Sequence, residues 1–134
     1  MKMAAKKKKK KKRGHYQRGI HISPIAGPCK YRSGWEAAYM KHLDSNPDVE
    51  LWTYEQTIIE YISNIRTKKI RKYYPDFYVK YRDGREVIVE VKPKRKLEQV
   101  SVKKKTGAAL IWCAARGMTY QILTEVELKE LGLL

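Results

Sequence analysis

The stretch that decides the fold is YPDFYVKYRDGREVIVEVK, residues 74–92. Two runs of β-branched and aromatic residues flank Arg82-Asp83-Gly84, a pattern typical of a β-hairpin turn. A two-residue turn would oppose Phe77 to Glu90 and mix charged with apolar side chains on both faces. A three-residue loop with Gly84 in the left-handed conformation separates them, so we expect that register.

This register predicts one apolar face for the core and one charged face. The apolar face would hold Phe77 opposite Val89 and Val79 opposite Val87, and the charged face Asp76 opposite Glu90, Tyr78 opposite Ile88 and Lys80 opposite Glu86. Asp76 and Glu90 would have their β-carbons about 5 Å apart. Two like charges at that distance destabilise a sheet unless a cation lies near both.

Two cations could neutralise this pair. One is Lys92, two residues past Glu90 on the same face, and the other is a divalent ion, Mg²⁺ or Mn²⁺, which binds paired carboxylate oxygens well. Carboxylates that hold Mg²⁺ beside a lysine are suited to phosphodiester hydrolysis, because the ion polarises phosphate and water while the ammonium stabilises developing charge. The alternative is a surface hairpin whose charged side chains form solvated ion pairs.

The chain has 134 residues, enough for one compact domain. Its net charge of +16 is uneven, because residues 1–32 contain 12 basic side chains and no acid. An unbroken basic run comprises Lys6, Lys7, Lys8, Lys9, Lys10, Lys11, Lys12 and Arg13. Glycines and prolines follow it, so we expect residues 1–27 to form a disordered arm and residues 28–134 the folded domain. The arm is suited to binding DNA phosphates, with a solvated tail or a nuclear-localisation signal as alternatives.

Two other classes of protein are disfavoured. The longest apolar stretch, residues 108–115, has eight residues, whereas a membrane-spanning helix needs about 20. The two cysteines and three histidines lack the spacing of a disulfide framework or a zinc cluster. We therefore expect no membrane association and a reducing compartment.

The remaining pattern predicts an α/β domain with a central mixed β-sheet flanked by helices. The first helix begins after Ser33, whose spacing to Glu36 matches a capping box. The other predicted elements are strands at 49–54, 57–62, 70–81 and 85–92, a helix within 97–116, a strand at 118–123, and a short helix after a second capping box at Thr124.

Tyr74-Pro75-Asp76-Phe77 followed by Val89-Glu90-Val91-Lys92 resembles the PD-(D/E)xK signature of the restriction-endonuclease-like nucleases. Together with residues 31–36 and Asn46-Pro47, it makes residues 30–130 similar to the head-completion nucleases of large contractile-tailed phages. The resemblance implies a Mg²⁺-dependent endonuclease acting on double-stranded DNA, which processes DNA ends in the phage head before tail attachment. It also implies head, portal or neck proteins as partners, and a location in the virion and the host cytoplasm.

By position, the resemblance implies that Asp76, Glu90 and Glu36 bind the metal and that Lys92 is the catalytic lysine. Glu36 has an alternative role in the capping box, where its side chain would accept a hydrogen bond from the Ser33 amide. Further basic residues are expected to hold DNA phosphates: Lys94, Arg95, Lys96, Lys103, Lys104 and Lys105.

Two alternative functions stay open. A Holliday-junction resolvase or a transposon-end endonuclease of the same fold would select branched or specific DNA. A non-catalytic head-completion protein would bind DNA ends without cutting them.

Overall fold

The computed structural model describes residues 17–134, so the basic run at residues 6–13 lies outside the described residues. The elements in chain order are β1 (Gly19–Ser23), β2 (Gly27–Tyr31), α1 (Gly34–Ser45), β3 (Val49–Tyr54), β4 (Ile59–Asn64), β5 (Lys69–Tyr73), β6 (Phe77–Tyr81), β7 (Glu86–Val91), a 3₁₀ turn (Lys94–Lys96), α2 (Val100–Ala114), β8 (Thr119–Leu123) and α3 (Glu125–Glu130). No helix within residues 17–134 is long and apolar enough to cross a bilayer.

The central sheet has four strands in the order β3-β6-β7-β8. The β7–β8 pair is parallel and the other two pairs are antiparallel, so the sheet is mixed, as predicted. Strands β1 and β2 form a separate hairpin, and β4 and β5 form a separate two-stranded ribbon. The predicted α/β domain with a central mixed sheet is confirmed.

The predicted hairpin register is confirmed. Phe77 pairs with Val89 and Lys80 pairs with Glu86 across β6 and β7, and Gly84 has φ +95°. The three-residue loop therefore places Phe77, Val79, Val87 and Val89 together on the face that forms the core.

Helix α1 covers that apolar face. Tyr39, Met40 and Leu43 are buried on one side of the helix against Trp52 and Phe77. The Phe77 ring meets the Tyr39 ring edge-on at 5.1 Å between centroids, a favourable aromatic geometry. Helix α2 contacts β4 and β8, so helices flank the sheet region on more than one side.

The prediction that irregular structure extends to residue 27 is wrong, because β1 and β2 already pair from Gly19 onward. Pro24, which suggested disorder, lies instead in the tight turn at residues 24–26, and Gly27, the first residue of β2, leaves that turn at φ +77°. Asp44 anchors this hairpin to α1: its carboxylate accepts a hydrogen bond from the Ser23 hydroxyl at 2.6 Å and lies 2.7 Å from His21 Nε2. Such long-range anchoring leaves no local sequence signal.

The strand predicted over residues 70–81 is divided into β5 and β6. The break falls at Tyr74-Pro75-Asp76, since proline cannot donate to a sheet ladder. This break directs β5 into the ribbon and leaves Asp76 just before β6.

Replacing Gly84 by Val should lower the free energy of unfolding by about 1–3 kcal/mol, because a β-branched residue resists positive φ. Chemical denaturation measures this loss. The matched control is Gly107→Ala in α2, where an added β-carbon meets no atom within 4 Å, and there we expect a gain of about 0.5–1 kcal/mol. Equal effects of the two substitutions would contradict the proposed role of Gly84 in the turn.

Candidate active site

Asp76 and Glu90 lie side by side where β6 begins and β7 ends. Asp76 Oδ2 accepts a hydrogen bond from the Val91 N–H at 2.8 Å, and Glu90 Oε1 accepts one from the Asp76 N–H at 3.3 Å. Each acid is therefore held by the backbone of the segment that carries the other. The hairpin register sets this arrangement, and a slip of one residue would remove it.

Both acids are buried, with Asp76 3% and Glu90 8% exposed. Burial, together with the nearby charges of Glu90 and Glu36, raises the pKa of Asp76 well above its usual value. The hydrogen bond from Val91 acts in the opposite direction and is the weaker influence. Ionisation of Asp76 is therefore disfavoured unless a cation lies close to the pair.

A basic side chain faces the second oxygen of each acid. Lys92 Nζ lies 3.4 Å from Glu90 Oε2, and Arg32 Nη2 lies 3.9 Å from Asp76 Oδ1. The Lys92 backbone N–H bonds to the Leu123 carbonyl at 3.0 Å, which fixes the chain beside β8 as it leaves β7. Arg32 also forms an ion pair with Glu55.

Sequence reasoning missed Arg32. The sequence did contain a sign of its role, since Arg32 is a basic residue directly before Ser33, the N-cap of the helix that carries Glu36.

Glu36 is buried in the first turn of α1 and forms only half of the predicted capping box. Its N–H donates to Ser33 Oγ at 3.1 Å, as predicted. Its Oε1 accepts hydrogen bonds from the Arg32 N–H and the Tyr54 hydroxyl, both at 2.8 Å, rather than from the Ser33 amide. These two bonds hold the carboxylate between the residue that precedes the N-cap and strand β3.

The four residues predicted to be catalytic all line one cleft of about 340 Å³: Glu36, Asp76, Glu90 and Lys92. Three further basic residues line it, namely Arg18, Arg32 and Lys96. Among residues 17–134, no three Asp, Glu, His or Cys side chains are grouped closely enough to form a preformed metal cluster. The structure thus brings Asp76 and Glu90 into direct contact and leaves Glu36 at the wall of the same cleft.

Two tyrosines that sequence reasoning missed support Glu90. The Tyr73 hydroxyl donates to Glu90 Oε1 at 2.7 Å and lies 2.9 Å from the Tyr120 hydroxyl. Burial, followed by the charge of Glu90, raises the pKa of Tyr73, so the hydroxyl keeps its proton and stays a donor. The only signal for Tyr73 in the sequence was its position in the Tyr-Tyr-Pro-Asp run.

The basic residues predicted to hold DNA lie in two places. Lys94, Arg95 and Lys96 form the 3₁₀ turn that follows Lys92, beside the cleft. Lys103 and Lys104 lie on α2 beside the β4–β5 ribbon, away from the residues that line the cleft. Lys105 lies between the two places, with its Nζ 5.6 Å from the centre of the Tyr73 ring.

The model of the TnsA-like endonuclease N-terminal family matches residues 46–125. The chain belongs to this family of endonucleases. The matched segment contains Asp76, Glu90 and Lys92, whereas Glu36 and Arg32 precede it.

The chain is also similar to the head completion nuclease of Enterobacteria phage T4. The two are 32% identical over an alignment of 137 positions, and the alignment covers 84% of this chain and 91% of the phage T4 protein. The resemblance to these nucleases is therefore confirmed.

Ser33→Ala should lower the free energy of unfolding by about 1 kcal/mol, because it removes the acceptor for the Glu36 N–H. Glu36→Gln should lower the free energy of unfolding by less, since the Gln amide oxygen can still accept hydrogen bonds from the Arg32 N–H and the Tyr54 hydroxyl. Denaturant titration compares the two variants. A larger loss for Glu36→Gln would mean that the charge of this carboxylate, rather than its acceptor geometry, stabilises the start of α1.

Proposed function

We propose that this chain is a DNA endonuclease that depends on Mg²⁺ or Mn²⁺ and acts during phage head completion. The observation that carries the proposal is the Asp76–Glu90 pair, buried, anchored by backbone N–H groups and placed beside Lys92 in an open cleft. Membership of an endonuclease family supports the choice of DNA as the substrate.

The donor set fits a hard divalent cation. Each acid uses one oxygen for a backbone hydrogen bond and turns the other toward a basic side chain. Oxygen donors of this kind suit Mg²⁺ or Mn²⁺, and Asp76 and Glu90 would hold the ion. Glu36 would add negative charge from the cleft wall.

When bound, the ion would polarise the phosphate and lower the pKa of water in the site. Lys92 would stabilise the negative charge that develops on the phosphate, because its ammonium is held next to Glu90. Arg32 would bind the phosphate from the opposite side of the acid pair. The hydroxyl of Tyr73 would keep Glu90 oriented.

Asp76→Asn and Glu90→Gln should each abolish Mg²⁺-dependent cleavage while DNA binding stays intact or becomes slightly tighter, because a negative charge near the phosphates is lost. Lys92→Met should reduce the cleavage rate about 10²–10³-fold. The assay compares cutting of linear DNA with Mg²⁺, Mn²⁺ or EDTA. The matched control is Glu86→Gln, which removes a charge from the same strand at the opposite end of the hairpin and should leave cleavage unchanged.

Cleavage that persists in EDTA, or Asp76→Asn protein that cuts at the normal rate, would rule out the proposed metal site. The chain would then be a DNA-binding protein without this catalytic centre.

The biological role is proposed by similarity to the phage T4 head completion nuclease. In that role the enzyme would act on DNA ends in the filled head, in the virion and the host cytoplasm, with head, portal or neck proteins as partners. The basic run at residues 6–13 and the Lys94–Lys96 turn would increase its affinity for duplex DNA.

A phage T4 strain that lacks its head completion nuclease should regain plaque formation when this chain is supplied in the host. Asp76→Asn should fail to restore it, because head completion would need cleavage as well as DNA binding. Plaque titre measures the outcome, and immunoblotting controls for expression. Full rescue by Asp76→Asn would favour the non-catalytic DNA-end-binding protein.

A second candidate is a transposon-end endonuclease, favoured by the TnsA-like family match. Such an enzyme would cut a specific end sequence, and a Holliday-junction resolvase of the same fold would prefer branched DNA. Linear DNA of random sequence, transposon-end DNA and four-way junctions, tested in one assay, distinguish these substrates.

A further inference from the structure

The β4–β5 ribbon projects from the domain with its basic side chains exposed. Residues 64–72 are all exposed, and Ile65 at the tip is 86% exposed. The ribbon contributes no strand to the four-stranded sheet, and among the elements it packs mainly against α2.

The ribbon has a concentrated positive charge. Five basic side chains lie along it, and the last of them is near its base, opposite Glu60: Arg66, Lys68, Lys69, Arg71 and Lys72. Glu60 is the single acid in residues 58–73, and none of the five basic residues forms an ion pair with any residue in the described part of the chain. This excess of positive charge in so short a segment is repulsive, and a polyanion would relieve that repulsion.

The base of the ribbon is tied to the acid pair. Tyr73 ends β5 opposite Ile59, and its hydroxyl holds Glu90. Lys104 of α2 donates to the Ser63 carbonyl and braces β4 from the side. A molecule gripped by the ribbon would therefore be held in a defined position relative to Asp76 and Glu90.

We propose that the β4–β5 ribbon enters a groove of the bound DNA duplex while a phosphate of the same duplex lies at the acid pair. The ribbon would thereby clamp the DNA during cleavage. A two-stranded ribbon fits the major groove, which is about 12 Å wide and about 8.5 Å deep. Strand β5 alone spans about 13 Å at ~3.3 Å per residue, so the tip can reach the groove floor. Phosphates on both sides of the groove then face the basic side chains, and Ile65 contacts base edges or sugars.

This inference rests on the proposed function, since it places duplex DNA at the cleft. Its test does not require cleavage, because affinity is measured in EDTA by fluorescence anisotropy of a labelled duplex over a range of salt concentrations. The two proposals can therefore fail independently.

The test variant is the triple substitution Arg66→Gln, Lys68→Gln and Lys69→Gln at the ribbon tip. Each lost phosphate contact reduces the slope of log K against log salt by about 0.9, so we expect a slope smaller by about 2–3 and an affinity at least tenfold weaker. The control triple is Lys30→Gln, Lys41→Gln and Lys129→Gln, which removes the same charge from exposed positions on β2, α1 and α3. The DNA affinity of this control triple should stay within about twofold of that of the unmodified protein. Thermal melting of both triples verifies that they fold.

A second measurement locates the tip. Cys29 and Cys113 are buried, so Ile65→Cys introduces an accessible thiol into the chain. It should form a disulfide with a duplex that carries a thiol tether on a base in the groove, whereas Lys41→Cys should not. A ribbon triple with normal affinity and salt slope, or an Ile65→Cys variant that does not cross-link, would overturn the proposal and assign the ribbon to a protein partner.

Discussion

The reciprocal hydrogen bonds between the Asp76 and Glu90 segments are the constraint on which the site depends. The Val91 N–H holds Asp76 and the Asp76 N–H holds Glu90, so neither carboxylate can turn without losing a buried bond. Their geometry follows from the hairpin, whose apolar face is fixed by packing of Phe77 against α1. Core packing on one face therefore aligns the acids on the other.

Tyrosine hydroxyls connect this pair to the rest of the molecule. Tyr54 on β3 donates to Glu36, and Tyr73 at the end of β5 donates to Glu90. Burial is the main cause of the raised pKa of both tyrosines, so both stay protonated near neutral pH and remain donors. Because an unpaired buried carboxylate is costly, these hydroxyls stabilise acids that would otherwise disfavour the fold.

How far the sequence could predict the structure depended on the range of the interactions. The register and the Asp76–Glu90 contact were predictable, because alternation of side chains along a strand is a local property. The β1–β2 hairpin was not, because Asp44 anchors it from 21 residues away through Ser23. The hydrogen bond between Glu36 and Tyr54 could not be predicted either, since Glu36 lies on α1 and Tyr54 on β3. Local pattern thus identified the acids, and tertiary contacts decided how each is held.

The charge balance of the cleft would allow the proposed acidic site to accept an anionic DNA strand. Its lining contains three acids, Glu36, Asp76 and Glu90, and four basic residues, Arg18, Arg32, Lys92 and Lys96. The three acids are buried, whereas Arg18 and Arg32 are exposed. An approaching phosphate therefore meets positive charge first and repulsion from the acids only at close range, where a divalent ion would reverse the sign. The ribbon, with five further basic residues, would extend this attraction beyond the cleft along the duplex.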